Sequence, residues 1–354
     1  MKNRKKTEIR KISRKEKKKI IRLCDSIGTF AEPGFEEHRS ARLLADYLED
    51  NGFDVTFPWK QMPTAFAARW GKGRPSIGIL AEYDALPDCG QKKGEWGHGC
   101  GHNLLGAGAA GGAVIARRYL EQTKAHGTIV LWGCPGEEVL AGKVYMARDG
   151  AFRENDAVLG WHPSSKTSVR FMGGSALDSV IFEFYGKTAH GASAHRGRSA
   201  LDGVMLMDVA ANYLREHVPE NVRIHMCVCH GGKAPNVVPD YAKSWYYIRG
   251  KDREQVDHVR KRLISCAKGA ATATGTSVKA TRLTGIYNRL PIASFVPIIK
   301  ENMDLFGKQQ VTEKDRAFAR KTVSRPSFSS EVGGADQEPQ RASSDEDNVS
   351  WLAP

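Results

Sequence analysis

Apolar positions recur at two different spacings along this chain, and the change between them divides it. Over residues 36–52 (EEHRSARLLADYLEDNG) they fall three and four apart, which predicts an amphipathic helix stopped by Asn51-Gly52. Short apolar runs follow at 76–81 (SIGILA), 128–133 (TIVLWG) and 157–161 (AVLGW), each read as a buried parallel strand. Helical stretches at 105–120 and 143–149 lie between them. This alternation predicts an α/β domain with a mixed, mostly parallel sheet and helices on both faces.

The middle of the chain alternates with period two instead. Residues 179–185 (SVIFEFY), 221–229 and 242–249 (AKSWYYIR) read as half-exposed strands enclosing helices at about 200–216 and 253–274. With a last strand near 277–282, this order predicts an inserted α+β domain of ferredoxin-like kind. A helix at 297–307 marks the return to the first domain, and the polar stretch 308–354 is expected to be loop or poorly ordered. The expected division is a basic leader at 1–22, the first part of the α/β domain at 23–174, the insertion at 175–284 and an incomplete return at 285–354. No internal repeat is visible.

Charge changes this picture little once it is located. The 354 residues carry a formal net charge of +13. Twelve Lys or Arg against Glu8 and Glu16 lie within residues 1–22, so a net ten of that excess belongs to the leader and the remainder is almost balanced. The leader is expected to be solvated, and nucleic acid is weighed as a partner through it and set aside. The best transmembrane candidate, 104–116 (LLGAGAAGGAVIA), falls short of the roughly 20 apolar residues a spanning helix needs. The leader opens onto no apolar run like that of a secretory signal, and the seven Cys have no disulfide-framework spacing. These features predict a cytoplasmic protein with no membrane partner.

Candidate chemistry gathers where the first-domain strands end. Glu82 and Asp84 follow the first strand, Glu137 and Glu138 the second, and His162 the third. Ligands of open α/β sheets bind outside the carboxyl ends of their strands. Between these acids lies GHGCGHNLLG (97–106), where Cys100 and His102 are two residues apart. In an extended Gly-rich loop, such a spacing points both side chains to one side. A thiolate, imidazoles and carboxylates together suit zinc or another transition ion. Neighbouring side chains of an extended segment point oppositely, so one of Glu137 and Glu138 can ligate a metal while the other serves as general base. The arrangement predicts metal-assisted amide hydrolysis. The GxGxxG at 106–111 lacks the Lys-Ser/Thr of a phosphate loop and reads as close helix packing, and Cys227 and Cys229, with no partner His in a motif spacing, read as ordinary strand residues.

At these residues the sequence resembles the peptidase M20 family of metal-dependent amidohydrolases. Within it, the chain most resembles the branch that holds p-aminobenzoyl-glutamate hydrolase and aminoacylase-like enzymes. The resemblance rests on EYDALP (82–87), GHGCGHNLLG (97–106), GCPGEE (133–138), WHP (161–163), GKTAHGASAHRGRSALD (186–202), APNVVPD (234–240) and VSW (349–351). It implies a catalytic domain holding two divalent ions, Zn or Mn, and an inserted lid or dimerisation domain. By position it makes Cys100, His102, Glu138 and His162 metal ligands, Glu137 the general base and Asp84 the acid beside the metals. In the insertion it implies that His190 reaches a neighbouring subunit's site, and that Asn236 and Arg249 bind a substrate carboxylate.

One departure stands out. The family supplies a last metal ligand from a histidine near its C-terminus, whereas the final histidine here is His258. The expectation is therefore a chain truncated at the C-terminus that holds two, one or no ions. The expected function is hydrolysis of an amide between an acyl or aroyl group and an amino acid, by a homodimer or with a homologous partner subunit. The alternative is a non-catalytic subunit of the same fold.

Overall fold

The computed structural model describes residues 2–306, 311–324, 326–328, 331–336 and 342–354; the end of the expected helix at residue 307 and the reading of residues 308–310, 325, 329–330 and 337–341 as loop lie outside these. The chain forms two units. One comprises Met1–Gly173, Leu290–Pro339 and Asn348–Pro354, the other Gly174–Arg289 and Gln340–Asp347.

The first unit begins α1 (Lys2–Phe30), α2 (His38–Asp50), β1 (Asp54–Thr56), β2 (Phe66–Lys72), β3 (Ser76–Ala81), α3 (His102–Thr123), β4 (Gly127–Gly133), α4 (Gly142–Arg148), β5 (Ala157–Leu159) and β6 (Thr167–Val169). Five of these strands form a mixed sheet in the order β1-β2-β4-β3-β5. Its β4, β3 and β5 run parallel, and β1 and β2 extend it antiparallel. The parallel strands are apolar throughout because both faces are covered. On one face Phe66, Ala68, Ile129 and Leu131 meet Ile27 of α1, Leu44 and Leu48 of α2, and Ala110 and Val114 of α3. On the other, Leu80, Val130 and Trp132 meet Trp59, Met62, Phe152 and Met146 of α4.

The GxGxxG segment lies within α3, where a Cβ on Gly106 would come 2.6 Å from the Glu82 carbonyl oxygen. Only glycine lets the helix approach the end of β3 this closely, so the motif is helix packing.

The basic leader is not a separate solvated arm. It is the N-terminal part of α1, whose Ile12 and Glu16 are buried. Glu16 pairs with Arg118 of α3 and accepts the Tyr47 hydroxyl at 3.2 Å. The lysines and arginines occupy the remaining faces of a helix whose inner stripe belongs to the core.

The second unit runs β7 (Ala176–Tyr185), α5 (Ala200–Glu216), β8 (Arg223–His230), β9 (Tyr241–Gly250), α6 (Arg253–Thr274) and β10 (Ser277–Ile286). Its antiparallel sheet has the order β10-β7-β9-β8. Val180, Phe182, Phe184, Tyr246 and Ile248 pack against Val204 and Met207 of α5 and Val259 and Leu263 of α6. Strand β9 alternates half-buried and buried residues along its whole length, because only one face carries the helices.

The first unit then resumes with α7 (Phe295–Phe306), α8 (Glu313–Ala319) and β11 (Val332–Ala335). The polar tail therefore contains regular structure where loop was expected. Thr312 and Asp315 close a reciprocal capping box that starts α8, and β11 pairs in parallel with β6. Among the described residues no helix is long and apolar enough to cross a membrane.

Candidate metal centre

The carboxyl ends of β3 and β4 deliver most of the candidate side chains. Asp84, 1% exposed, lies just beyond β3 and uses both carboxylate oxygens. Its Oδ1 is 2.8 Å from Nδ1 of His102, and its Oδ2 accepts the backbone N–H of Glu138 at 2.7 Å. One acid thus ties the start of α3 to the turn after β4.

The hydrogen bond to Asp84 assigns a proton to Nδ1 and directs Nε2 of His102 toward the other acids. That Nε2 is buried and has no hydrogen-bond partner; Glu82 Oε2 is 3.4 Å away and Glu137 Oε2 4.0 Å. Burial works against a charge on this ring. The Asp84 hydrogen bond and the charges of Glu82, Asp84 and Glu137 outweigh burial and lift His102 to about 9. The cluster is short of positive charge, and a proton or a metal ion on the imidazole supplies it.

His102, Glu137 and Glu138 offer donor atoms that lie within 4.8 Å of one another. Beside them the Cys100 thiol hydrogen-bonds Glu138, and burial, then Glu138, Glu137 and Cys89, push it up to about 12. Burial also raises Glu138, against the opposing pull of His102. His162 stands edge-on to His102, with ring centroids 5.8 Å apart at 85°, and its Nδ1 is 2.7 Å from the Pro163 carbonyl oxygen.

Two local geometries differ from expectation. Cys100 and His102 are not on an extended loop: Gly101 takes φ +75° and starts α3, so a left-handed turn sets the two side chains. Glu137 and Glu138 do not point in opposite directions either, because residues 137–140 form a turn. Both carboxylates approach the same imidazole, Glu138 Oε1 at 3.8 Å from Nδ1 and Glu137 Oε2 on the Nε2 side.

The pattern reading also missed two buried charges. Lys143, fully buried, sets Nζ 2.8 Å from Glu82 Oε1. Glu37 accepts the Gly136 N–H at 2.7 Å, just before Glu137, and burial, then Asp84, push it up to about 7. A lysine or glutamate in a helical stretch normally reads as solvent-facing, so neither carried a signal.

The other three candidates lie in the second unit. His190 is exposed, and its Nδ1 accepts the Ala192 N–H at 3.1 Å, which leaves the proton on Nε2. Asn236 adjoins it, its carbonyl accepting the Gly191 N–H at 2.7 Å. Arg249 is elsewhere: it donates to Ser343 Oγ at 2.8 Å near the far end of β9. Eight residues of strand separate that end from Tyr241, roughly 26 Å. The structure brings His190 and Asn236 together and does not bring Arg249 to them.

His102, Glu137 and Glu138, with the Cys100 thiol and the His162 ring beside them, make a donor set around a partnerless ring nitrogen that could hold a divalent ion of the Zn or Mn class.

Residues 175–274 match the peptidase dimerisation domain family. The chain is 38% identical over 317 residues to one of the subunits of p-aminobenzoyl-glutamate hydrolase from Escherichia coli (strain K12), covering 86% of this chain and 66% of that protein. It is 31% identical over 309 residues to the Xaa-Arg dipeptidase of Homo sapiens, covering 82% and 69%. The chain thus spans about two thirds of the length of these relatives. Among solved structures, the aminobenzoyl-glutamate utilization protein of Klebsiella pneumoniae superposes with a TM-score of 0.71 at 19% identity, over 96% of this chain and 89% of that one. A dinuclear metal-binding M20 peptidase of Bacillus subtilis superposes at 0.59 with 20% identity, over 95% and 86%. The chain belongs to the M20 peptidase family.

Proposed function

We propose that this chain hydrolyses an amide bond joining an acyl or aroyl group to an amino acid, with p-aminobenzoyl-glutamate and dipeptides as the substrate class. The observation that carries this reading is the buried Nε2 of His102, free of hydrogen bonds and facing carboxylates while Asp84 holds the opposite nitrogen. Two divalent ions are expected, on Cys100, His102, Glu138 and His162. When bound, they supply Lewis acidity and make a water acidic enough to lose its proton near neutrality.

The chain's own residues do the rest. Asp84 fixes the His102 tautomer and, through the Glu138 N–H, the turn that presents both glutamates. Glu137 takes the water's proton and passes it to the leaving nitrogen. Lys143 holds Glu82 at the rim of the cluster. His190, with its proton on Nε2, is the expected donor to a substrate carbonyl. Asn236 and the fork of Arg249 suit a carboxylate. Because Arg249 lies near one end of β9 while His190 follows β7 beyond the other, one substrate meets both only when two chains contribute. This favours a homodimer or a homologous partner subunit.

The test is hydrolysis of p-aminobenzoyl-glutamate and dipeptides by the full chain with Mn²⁺ or Zn²⁺. Replacing Glu137→Gln should lower kcat by about 10²–10⁴-fold while metal content stays the same. No hydrolysis, no bound metal and no effect of Glu137→Gln would leave the non-catalytic reading in its place.

A further inference from the structure

Strand β8 is an outer strand of the second unit's sheet and carries the sequence His225-Met226-Cys227-Val228-Cys229-His230. Ile224 is buried beneath the helices, while His225, Cys227 and Cys229 are exposed. In a regular strand, residues two apart rise about 6.6 Å, which holds small side chains apart. Here the Sγ atoms of Cys227 and Cys229 are 3.8 Å from each other, and both thiols are free.

A bulge accounts for the approach. The ladder passes from Val228 opposite Ser244 to His230 opposite Lys243, so Cys229 is an extra residue without a partner in register. Bulges bend a strand and re-aim its side chains. Two Zn–S bonds of about 2.3 Å at the tetrahedral angle place their sulfurs about 3.8 Å apart. The two thiols already have the spacing that one such ion requires.

We propose that Cys227 and Cys229 form a two-thiolate site for a thiophilic divalent ion of the zinc class, separate from the residues of the metal centre. Each thiol releases its proton to solvent as it ligates, and no redox change is involved. The remaining positions are open to water.

Cd²⁺ titration of the reduced full chain reads this site through the thiolate-to-metal absorption band. The band should persist in Cys100→Ser and be lost when Cys227→Ser and Cys229→Ser are added to that variant, with thermal unfolding unchanged by the two further substitutions. In parallel, Zn²⁺ should protect Cys227 and Cys229 from alkylation, followed peptide by peptide by mass spectrometry. A band that survives in the triple variant, or alkylation of the two thiols that Zn²⁺ does not slow, would overturn the proposal.

Discussion

Each unit buries one charge among groups of opposite sign, and the two arrangements are electrostatic mirror images. In the second unit the carboxylate of Asp178, fully buried, lies 2.9 Å from Arg253, 2.8 Å from Arg260 and 3.9 Å from Arg282. In the first, the imidazole of His102 lies among Glu82, Asp84, Glu137 and Glu138. Three arginines of the chain supply counter-charge to Asp178, although burial still outweighs them and raises its carboxyl. Around His102 the chain supplies an excess of acid, with Lys143 as a buried cation on Glu82. A cluster that completes itself stabilises a fold, whereas one left short of positive charge is built to receive a cation.

The largest expected effect tests that distinction directly. Asp178→Ala would leave Arg253 and Arg260 facing each other without their shared acid, and Lys143→Met would leave Glu82 buried without its ammonium. Breaking a buried ion pair from one side costs about 3–5 kcal/mol. The lower end is expected for Asp178→Ala, since Asp257 still pairs with both arginines. The two variants should differ in their response to metal. Saturating Mn²⁺ should recover part of the Lys143→Met loss and none of the Asp178→Ala loss, as read from hydrogen exchange in β3 and β7. Equal responses would erase the distinction between the units.

Legibility in the sequence followed the same divide. Strands β3 and β4 stood out because unbroken apolar runs such as SIGILA and TIVLWG suit few other environments. In the second unit, the simple alternation of β9 and the span of α6 were visible because one covered face imposes a clean period. Strand β2 was not, since FAARWGK mixes alanine, glycine and charge without a period. The stripe of Ile12, Glu16, Ile20, Leu23 and Ile27 on α1 was obscured by the surrounding lysines, although its spacing is helical. At the candidate centre, residue types and strand ends were readable, but the turn at Gly101 and the shared facing of Glu137 and Glu138 were not. Those depend on backbone angles that pattern does not encode. The burial of Lys143 and Glu37 was invisible for a related reason: only the fold decides whether a charge on a helix meets solvent.

Glu37 provides the next test, because the first unit holds it in a form the unfolded chain would not. Its carboxyl lies at about 7 when folded against an ordinary 4.5. Between those values the folded chain keeps a proton that the unfolded chain has lost. Stability from this group is therefore greatest below pH 4.5 and declines as pH rises through 7, by on the order of 3 kcal/mol over the window. Glu37→Gln keeps an acceptor for the Gly136 N–H and removes the titration. Urea unfolding between pH 5 and 8 should show the variant gaining on the native chain as pH rises. A constant difference would mean that Glu37 is charged in the fold.

The smallest effect concerns how helices begin. In the second unit Asp252 caps α6 by accepting the Gln255 N–H at 2.9 Å, and Ser199 caps α5 at 3.1 Å. In the first unit α3 begins without a side-chain cap, because Gly101 at its start is shaped for the turn that aims His102. Asp252→Ala should cost about 1 kcal/mol, the usual loss for a cap. Gly101→Ala should cost a similar 1–2 kcal/mol for placing a Cβ in the left-handed region. Their consequences should nevertheless separate. Asp252→Ala should leave the Kd for Mn²⁺ unchanged, while Gly101→Ala should raise it by about tenfold or more through misplacing a ligand. If the two substitutions shift metal affinity equally, the start of α3 is ordinary helix architecture and has no special part in forming the centre.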